Sequence, residues 1–383
     1  FKQKTAYEIG VRLVGSEMCI RDRCYALVMY VACPVVHWVF DSDKPDGLEG
    51  KYFHTAPLGT SVFEFLDNGR FKYRTVLAGQ EISDEGEWDS SGNDIKTESD
   101  DGKPPINING KIQGTDITIK GDISSQFISA LLIIAPRLPE GLVINIEGEL
   151  VSKPYVDLTI AIMKKFGVVV KTEEKYKKYN ISHQIYKPTT FSIPSDFSNL
   201  ALLLAANVLL GDNLIMEISL GDMPQGDEAI VDILEKLGVN VTLEDEFITT
   251  KSPELLKGGK FDLSDTPDLL PAIAILALKS EKPIEIVNVK HARYKETDRI
   301  AIISRELKKI GLLIDEKDDG LILKKSEELY PAELNSENDH RLFMAFTIVG
   351  MFIGNCTVSD PDAVDVSYPE FISDLVNSGA KIN

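Results

Sequence analysis

Cysteine is scarce in this chain. Its four residues, Cys19, Cys24, Cys33 and Cys356, form no CxxC pair, so no zinc site is expected. Three of them lie in the first 33 residues. The lone Cys356 in the body fits a reducing compartment and reads as a small buried apolar residue. Positive charge is short as well: 41 Lys and Arg stand against 60 Asp and Glu, a formal net charge of −19. General nucleic-acid binding needs a basic face, so no nucleic-acid partner is expected. An acidic chain still binds anions where its few cations converge on one cleft. Long apolar runs are also rare. The stretch "CYALVMYVACPVVHWVF" (Cys24 to Phe40) has 17 residues and is interrupted by Pro34, which is marginal for a membrane span. These absences point to a cytoplasmic chain with no membrane association and no metal.

What remains is an ordinary globular composition, 43% hydrophobic and 26% charged over 383 residues, enough for two or three domains. Residues 1–40 read as a non-native-looking or signal-like segment. "FKQKTAYEIGVRLVGSEMCIRDR" resembles translated sequencing-adaptor read-through, and the apolar run behind it has a signal- or lipoprotein-like texture. Residues 41–102 alternate apolar and polar side chains between the turn signals "DNG" and "SGN", which predicts a small antiparallel β-meander. His54 falls within it as an ordinary strand residue. "DDGKPP" then reads as a linker.

From about residue 104 the texture changes, and an internal repeat appears. "IMKKFGVVVK", "ILEKLGVNVT", "ELKKIGLLID" and "LVNSGAKI" each describe an amphipathic helix, a glycine suited to a left-handed cap, and a following strand. The glycines, Gly167, Gly238, Gly311 and Gly379, are 71, 73 and 68 residues apart. Apolar helices starting near Ser124, Ser195, Thr266 and Asp339 keep the same period. Two periodicities in step predict four copies of one α/β unit: buried helix, strand, amphipathic helix, strand, strand.

The polar residues follow that period. The buried helices open on Ser124-Ser125-Gln126, Ser195-Asp196, Asp268 and Asp339-His340-Arg341. The second helices open on Ser152-Lys153, "MPQGDE", Lys295-Glu296 and Ser367. Helix starts offer free N–H groups and positive potential, so a set of them facing one region would receive anions. Singly, a serine or aspartate there is most often a cap. The stretch "RYKETDR" is harder to read that way, with five charges, Arg293, Lys295, Glu296, Asp298 and Arg299, in seven residues. Lys295 and Arg299 stand four apart and would repel on one helix face. Arg341, inside an apolar helix start, is costly to bury without an anion.

Five ordered motifs carry a resemblance. "GDISSQFISALL", "SKPYVDLTI", "RYKETDRI", "NDHRLFMAF" and "SYPEF" together resemble the 5-enolpyruvylshikimate-3-phosphate synthase family in its archaeal-like forms, over about residues 104–383. The resemblance implies a two-lobe fold of repeated βαβαββ units, with residues 104–190 as the remnant of an incomplete first lobe and 191–383 as the second lobe. It implies transfer of the enolpyruvyl group of phosphoenolpyruvate to shikimate 3-phosphate, without metal or cofactor, by a monomer. Ser124, Ser125, Gln126, Ser152, Asp268, His291 and Lys295 would bind shikimate 3-phosphate. Gln126, Arg299, His340 and Arg341 would bind phosphoenolpyruvate. Asp268, Lys295 and Glu296 would handle protons.

The pattern departs from the family in several places. The family's glycine-serine-lysine-serine loop and asparagine-alanine-glycine-threonine loop have no counterpart before residue 104. Val366 stands where many members carry a lysine, and the chain ends four residues after Gly379. Roughly half the substrate cage is thereby missing, which implies an impaired or inactive enzyme, since one lost electrostatic clamp costs about 10² to 10³ in rate. Two alternatives stand beside this reading. One is the related UDP-N-acetylglucosamine enolpyruvyl transferase, which uses a cysteine where Cys356 reads as a strand residue. The other is a catalytically dead fusion or mis-assembled fragment.

Overall fold

The computed structural model describes the backbone of strands between residues 50 and 87, and describes residues 114–382 with their side chains apart from 212, 213 and 245. The expectations for residues 1–40 lie outside the described residues. Strands β1 (Gly50–Ala56), β2 (Gly59–Phe65), β3 (Arg70–Leu77) and β4 (Gln80–Glu87) pair antiparallel in sequence order. His54 lies within β1.

The repeat is visible element by element. Its first copy runs β5 (Asp116–Lys120), α1 (Ser125–Ile134), β6 (Leu142–Glu147), α2 (Lys153–Lys165), β7 (Lys171–Glu173) and β8 (Lys178–Ile181). β5 and β6 are parallel, β8 joins β6 antiparallel, and β7 closes the edge, giving the order β5-β6-β8-β7. The second copy runs α3 (Phe197–Leu210), β9 (Met216–Glu217), α4 (Ala229–Lys236), β10 (Asn240–Glu244) and β11 (Phe247–Lys251). The third runs β12 (Gly259–Asp262), α5 (Leu270–Ile275), β13 (Ile284–Val287), α6 (Arg299–Lys309), β14 (Leu313–Lys317) and β15 (Gly320–Lys324). Its sheet order, β12-β13-β15-β14, reproduces the first. The fourth holds β16 (Glu333–Leu334), α7 (His340–Ile353), β17 (Thr357–Val358) and α8 (Phe371–Asn377), with β16 and β17 parallel like the pairs before them.

The local chemistry explains these boundaries. The four period-marking glycines take positive φ, 78° at Gly167, 94° at Gly238, 99° at Gly311 and 102° at Gly379, a region that side-chain-bearing residues avoid. Each therefore ends its helix, and Gly167, Gly238 and Gly311 turn the chain toward the next strand, whereas no strand follows Gly379 among the described residues. The helices α3, α5 and α7 pack on one another and are apolar nearly all round, because sheets and other helices surround them. In α6 the buried residues Ile300, Ile303 and Leu307 fall at helical spacing, which leaves an outer polar stripe.

Two hydrophobic cores result. One gathers residues between Ile128 and Tyr186, the other residues between Phe197 and Leu375. They meet at the start of α2, where the N–H of Ser152 donates to the carbonyl of Ser264 at 2.9 Å and that of Lys153 to Asp265 Oδ1 at 3.2 Å. Cys356 sits just before β17, half-buried, rather than on a strand as the sequence suggested.

Gly320 marks the tightest strand contact. A Cβ there would lie 1.9 Å from the carbonyl oxygen of Ile286 on β13, so alanine forces the strands apart. Gly320→Ala is expected to lower unfolding stability by at least about 2 kcal/mol, read from denaturant midpoints. An unchanged midpoint would contradict this close approach.

Candidate active site

The charge-rich stretch divides into two halves. Arg293 and Asp298 do structural work: Asp298 caps α6 by accepting from the N–H of Ala301 at 3.0 Å, and Arg293 grips both its oxygens at 2.8 and 3.1 Å. Arg293 also reaches Glu316 at 3.1 Å on β14. Lys295, Glu296 and Arg299 turn inward instead. Lys295 precedes the helix, in extended conformation after the short helical turn at residues 290–294. The expected helical repulsion between Lys295 and Arg299 therefore does not arise. They converge on one acceptor, Asp268 Oδ1, at 3.3 and 3.0 Å.

Arg299 is the centre of the cluster. Only 1% of it is exposed, and every nitrogen of its guanidinium meets a carboxylate. Nε donates to Asp339 Oδ2 at 2.8 Å, one terminal nitrogen to Asp268 Oδ1 at 3.0 Å, and the other to Glu296 Oε2 at 2.6 Å and Asp339 Oδ1 at 3.3 Å. Asp339 is at once the N-cap of α7, accepting from the N–H groups of Arg341 and Leu342 at 3.0 and 3.3 Å. Arg341, also 1% exposed, stands 3.5 Å from Asp268 Oδ2. Burial works against the Arg299 charge, yet Asp339, Glu296 and Asp268 hold its pKa above the ordinary value. Burial alone would raise the Glu296 carboxyl; Arg299 and His340 override it and hold that group well below the usual carboxylate range.

Two histidines border the cluster. His340 is buried, its Nδ1 hydrogen-bonded to Ser367 Oγ and its Nε2 3.7 Å from Glu296 Oε1. Burial pushes the His291 imidazole down to about 4, helped by Lys295 and opposed by Asp268. The grouping of Glu296, Asp339 and His340 has metal-like spacing, but the Arg299 guanidinium already donates to both acids and occupies those oxygens.

Sequence reasoning missed Asp227. It lies inside the helical turn at residues 226–228, is 3% exposed, and accepts from the Tyr155 hydroxyl through both oxygens at 2.9 Å and from the Ser198 hydroxyl. Burial, then the charge of Asp268, push its carboxyl up to about 6, against Ser198, Arg341 and Tyr155. The one available signal was position: "MPQGDE" occupies the second-helix opening of its unit. Tyr155 carries the link onward, for Lys295 Nζ stands 5.8 Å from its ring centroid.

The other expected residues lie in the first unit. Ser152 is buried at the seam between the two cores, in left-handed conformation with φ 55°. Ser124 caps α1, its hydroxyl accepting from the N–H of Gln126 at 3.2 Å, and Ser125 follows, buried. The structure thus brings Asp268, Lys295, Glu296, Arg299, His340 and Arg341 into contact and ties Ser152 to them through the Tyr155 helix. The hydrogen bond of Ser124 runs within its own turn.

Repeated βαβαββ units whose helix starts pool buried charge define an enolpyruvyl-transferase-like fold. Solved structures agree. The 2.37 Å structure of EPSP synthase from Acinetobacter baumannii superposes with a TM-score of 0.60 at 24% identity, covering 76% of this chain and 69% of that one. The enolpyruvyl transferase NikO from Streptomyces tendae gives 0.58 at 16% identity over 76% and 69%. The family model described as EPSP synthase (3-phosphoshikimate 1-carboxyvinyltransferase) matches residues 89–375. A 3-phosphoshikimate 1-carboxyvinyltransferase of Nitrosopumilus maritimus is 61% identical over 285 residues, 74% of this chain and 68% of the relative. That of Methanocaldococcus jannaschii is 39% identical over 285 residues, 74% and 66%. The chain belongs to the EPSP synthase family, and it spans about two thirds of the length of the curated relatives it matches.

Two outcomes follow. Arg299→Met leaves Asp339, Asp268 and Glu296 uncompensated and is expected to cost about 3–5 kcal/mol of unfolding stability in denaturant titrations. Asp227, with its folded pKa raised from 3.8 to about 6, binds its proton more tightly when folded. Its contribution to stability is full below about 4 and is lost as pH rises through about 6. The stability of the wild type relative to Asp227→Asn should therefore fall between those values and level off above. A flat difference would refute the assignment.

Proposed function

We propose that the site transfers the enolpyruvyl group of phosphoenolpyruvate to a hydroxyl of shikimate 3-phosphate. The observation that carries this reading is the convergence of Asp268, Lys295, Glu296 and Arg341 around the buried Arg299, on a chain 61% identical to a curated 3-phosphoshikimate 1-carboxyvinyltransferase. Asp268 accepts the proton of the attacking hydroxyl as its oxygen bonds to the central carbon of phosphoenolpyruvate. Lys295 delivers a proton to the methylene carbon, giving a tetrahedral intermediate with a methyl group. The ionised Glu296 takes a proton from that methyl, which restores the double bond as the carbon–oxygen bond to phosphate breaks and inorganic phosphate leaves. An acid and a base held a few ångströms apart suit such an addition and elimination. Arg341 receives the carboxylate or phosphate of phosphoenolpyruvate, a planar guanidinium suiting either. Arg299, spent on three acids, orients them.

On the shikimate side, Ser124, Ser125, Gln126 and Ser152 supply hydroxyl, amide and backbone donors at helix starts, which suit a phosphate. His291 borders Lys295 there. Neither a metal nor a cofactor takes part in the proposed chemistry. We assign the reaction to the cytoplasm and to a monomer.

Binding comes before turnover as the test. Calorimetry with shikimate 3-phosphate should show a saturable site that Ser152→Ala weakens about tenfold, the worth of one hydrogen bond to a charged group. Release of inorganic phosphate from phosphoenolpyruvate, dependent on shikimate 3-phosphate, should fall by at least about 10² in Asp268→Asn. A chain that neither binds shikimate 3-phosphate nor releases phosphate would sink the proposal. Cys356 lies outside the charged cluster, so alkylating it should leave binding unchanged. Loss of binding on alkylation would favour the thiol-dependent UDP-N-acetylglucosamine enzyme instead.

A further inference from the structure

His340 is 2% exposed, and its two ring nitrogens meet unlike neighbours. Nδ1 is hydrogen-bonded to Ser367 Oγ. Nε2 faces Glu296 Oε1 at 3.7 Å, beyond hydrogen-bond reach, and finds no other partner among the described residues. Glu296 itself is gripped by Arg299 at 2.6 Å, so its oxygens act only as acceptors. A neutral imidazole has one N–H and one acceptor nitrogen, and its neighbours decide which is which. A carboxylate facing Nε2 selects the proton there. Nδ1 is then the acceptor, and the Ser367 hydroxyl must donate.

Ser367 is itself held. Its carbonyl accepts from Asn199 Nδ2 on α3 at 3.1 Å, and it ends the helical turn of residues 361–366. A chain of contacts therefore runs from the second unit, through Ser367 before α8, to His340 on α7 and on to Glu296. Neither Ser367 nor Asn199 touches the charged cluster directly.

We infer that Ser367 is a positioning residue, which fixes His340 as the Nε2–H tautomer and so holds a hydrogen-bond donor ready for an anionic substrate oxygen arriving beside Glu296. The 3.7 Å gap is the reason a ligand is implicated: the donor is formed and buried, yet no acceptor among the described residues lies within reach. A buried donor left without an acceptor costs stability that an incoming carboxylate or phosphate oxygen would recover. The identity of that anion as phosphoenolpyruvate rests on the function proposed above; the tautomer does not.

The test has two arms. The chain contains five histidines, so nitrogen-15 spectra of the imidazoles at alkaline pH resolve the tautomer of His340, assigned by its loss in His340→Gln. The wild type should show the Nε2–H form, Ser367→Ala should move the tautomer ratio about fivefold toward Nδ1–H, and Ser367→Thr should restore it. A loss of overall stability does not by itself move this ratio. The second arm measures phosphoenolpyruvate binding with shikimate 3-phosphate present. Ser367→Ala should weaken it five- to tenfold, roughly one hydrogen bond, and should add nothing in a His340→Gln background. An Nδ1–H wild type, a spectrum indifferent to Ser367→Ala, or full additivity with His340→Gln would overturn the inference. If the wild type binds no phosphoenolpyruvate, the substrate assignment fails, and the spectra alone decide the role of Ser367.

Discussion

A guanidinium with 1% exposure and three carboxylates around it is the interaction on which the site depends. Removing an arginine from water is expensive, and only a full complement of acceptors repays it. Arg299 obtains that complement from two units of the repeat: Asp268 and Glu296 from the third, Asp339 from the fourth. Asp339 cannot move without uncapping α7, and Asp268 is shared with Lys295 and Arg341. The contacts continue into the other two units. Lys295 stands over the Tyr155 ring of the first, and Tyr155 donates to Asp227 of the second. One connected set of charges and hydrogen bonds therefore fixes how four copies of a unit meet.

The architecture was legible because it repeats. Four glycines at near-constant spacing and four apolar helices in step with them give the unit, and the sheet orders β5-β6-β8-β7 and β12-β13-β15-β14 show the same unit folded twice. Small elements escaped: two-residue strands such as Met216–Glu217 and Glu333–Leu334 carry too few residues for any period to register. The charged cluster was legible as composition but not as geometry. Spacing placed Lys295 and Arg299 on one helix face, whereas the helix starts at Arg299 and Lys295 approaches Asp268 from an extended segment. Asp298 and Arg293 were indistinguishable from their inward neighbours until pairing showed them capping and bracing α6.

Asp227 shows why the rest stayed hidden. An aspartate at a helix start is a cap in most proteins, and nothing in "MPQGDE" separates it from that default. Its partners, Tyr155 and Ser198, are 72 and 29 residues away, and its raised pKa arises from burial and from Asp268, none of which a local pattern records. Conversely, Ser124 looked like a ligand and is observed as a cap. A hydroxyl at a helix start can serve both ends in turn, because the same N–H groups it satisfies become available to an anion that displaces it.

Charge balance constrains how anionic substrates could be received. Lys295, Arg299 and Arg341 face Asp227, Asp268, Glu296 and Asp339, so the cluster holds one more carboxylate than permanent cations. Adding a phosphate or carboxylate to an already negative, buried group would be unfavourable if cations were the only attraction. Two features relieve this. Burial pushes the Asp227 carboxyl up to about 6, and taking up one proton there brings the count to balance. The first unit adds donors that carry no charge of their own, the hydroxyls of Ser124 and Ser152 at the starts of α1 and α2. Neutral donors stabilise an arriving anion without bringing a charge that must itself be balanced, whereas every arginine in the cluster is already paired with a carboxylate. In the function proposed above, the serine-bearing helix starts of the first unit receive the phosphate. The arginine- and lysine-bearing starts of the third and fourth suit the partner whose charge changes during reaction.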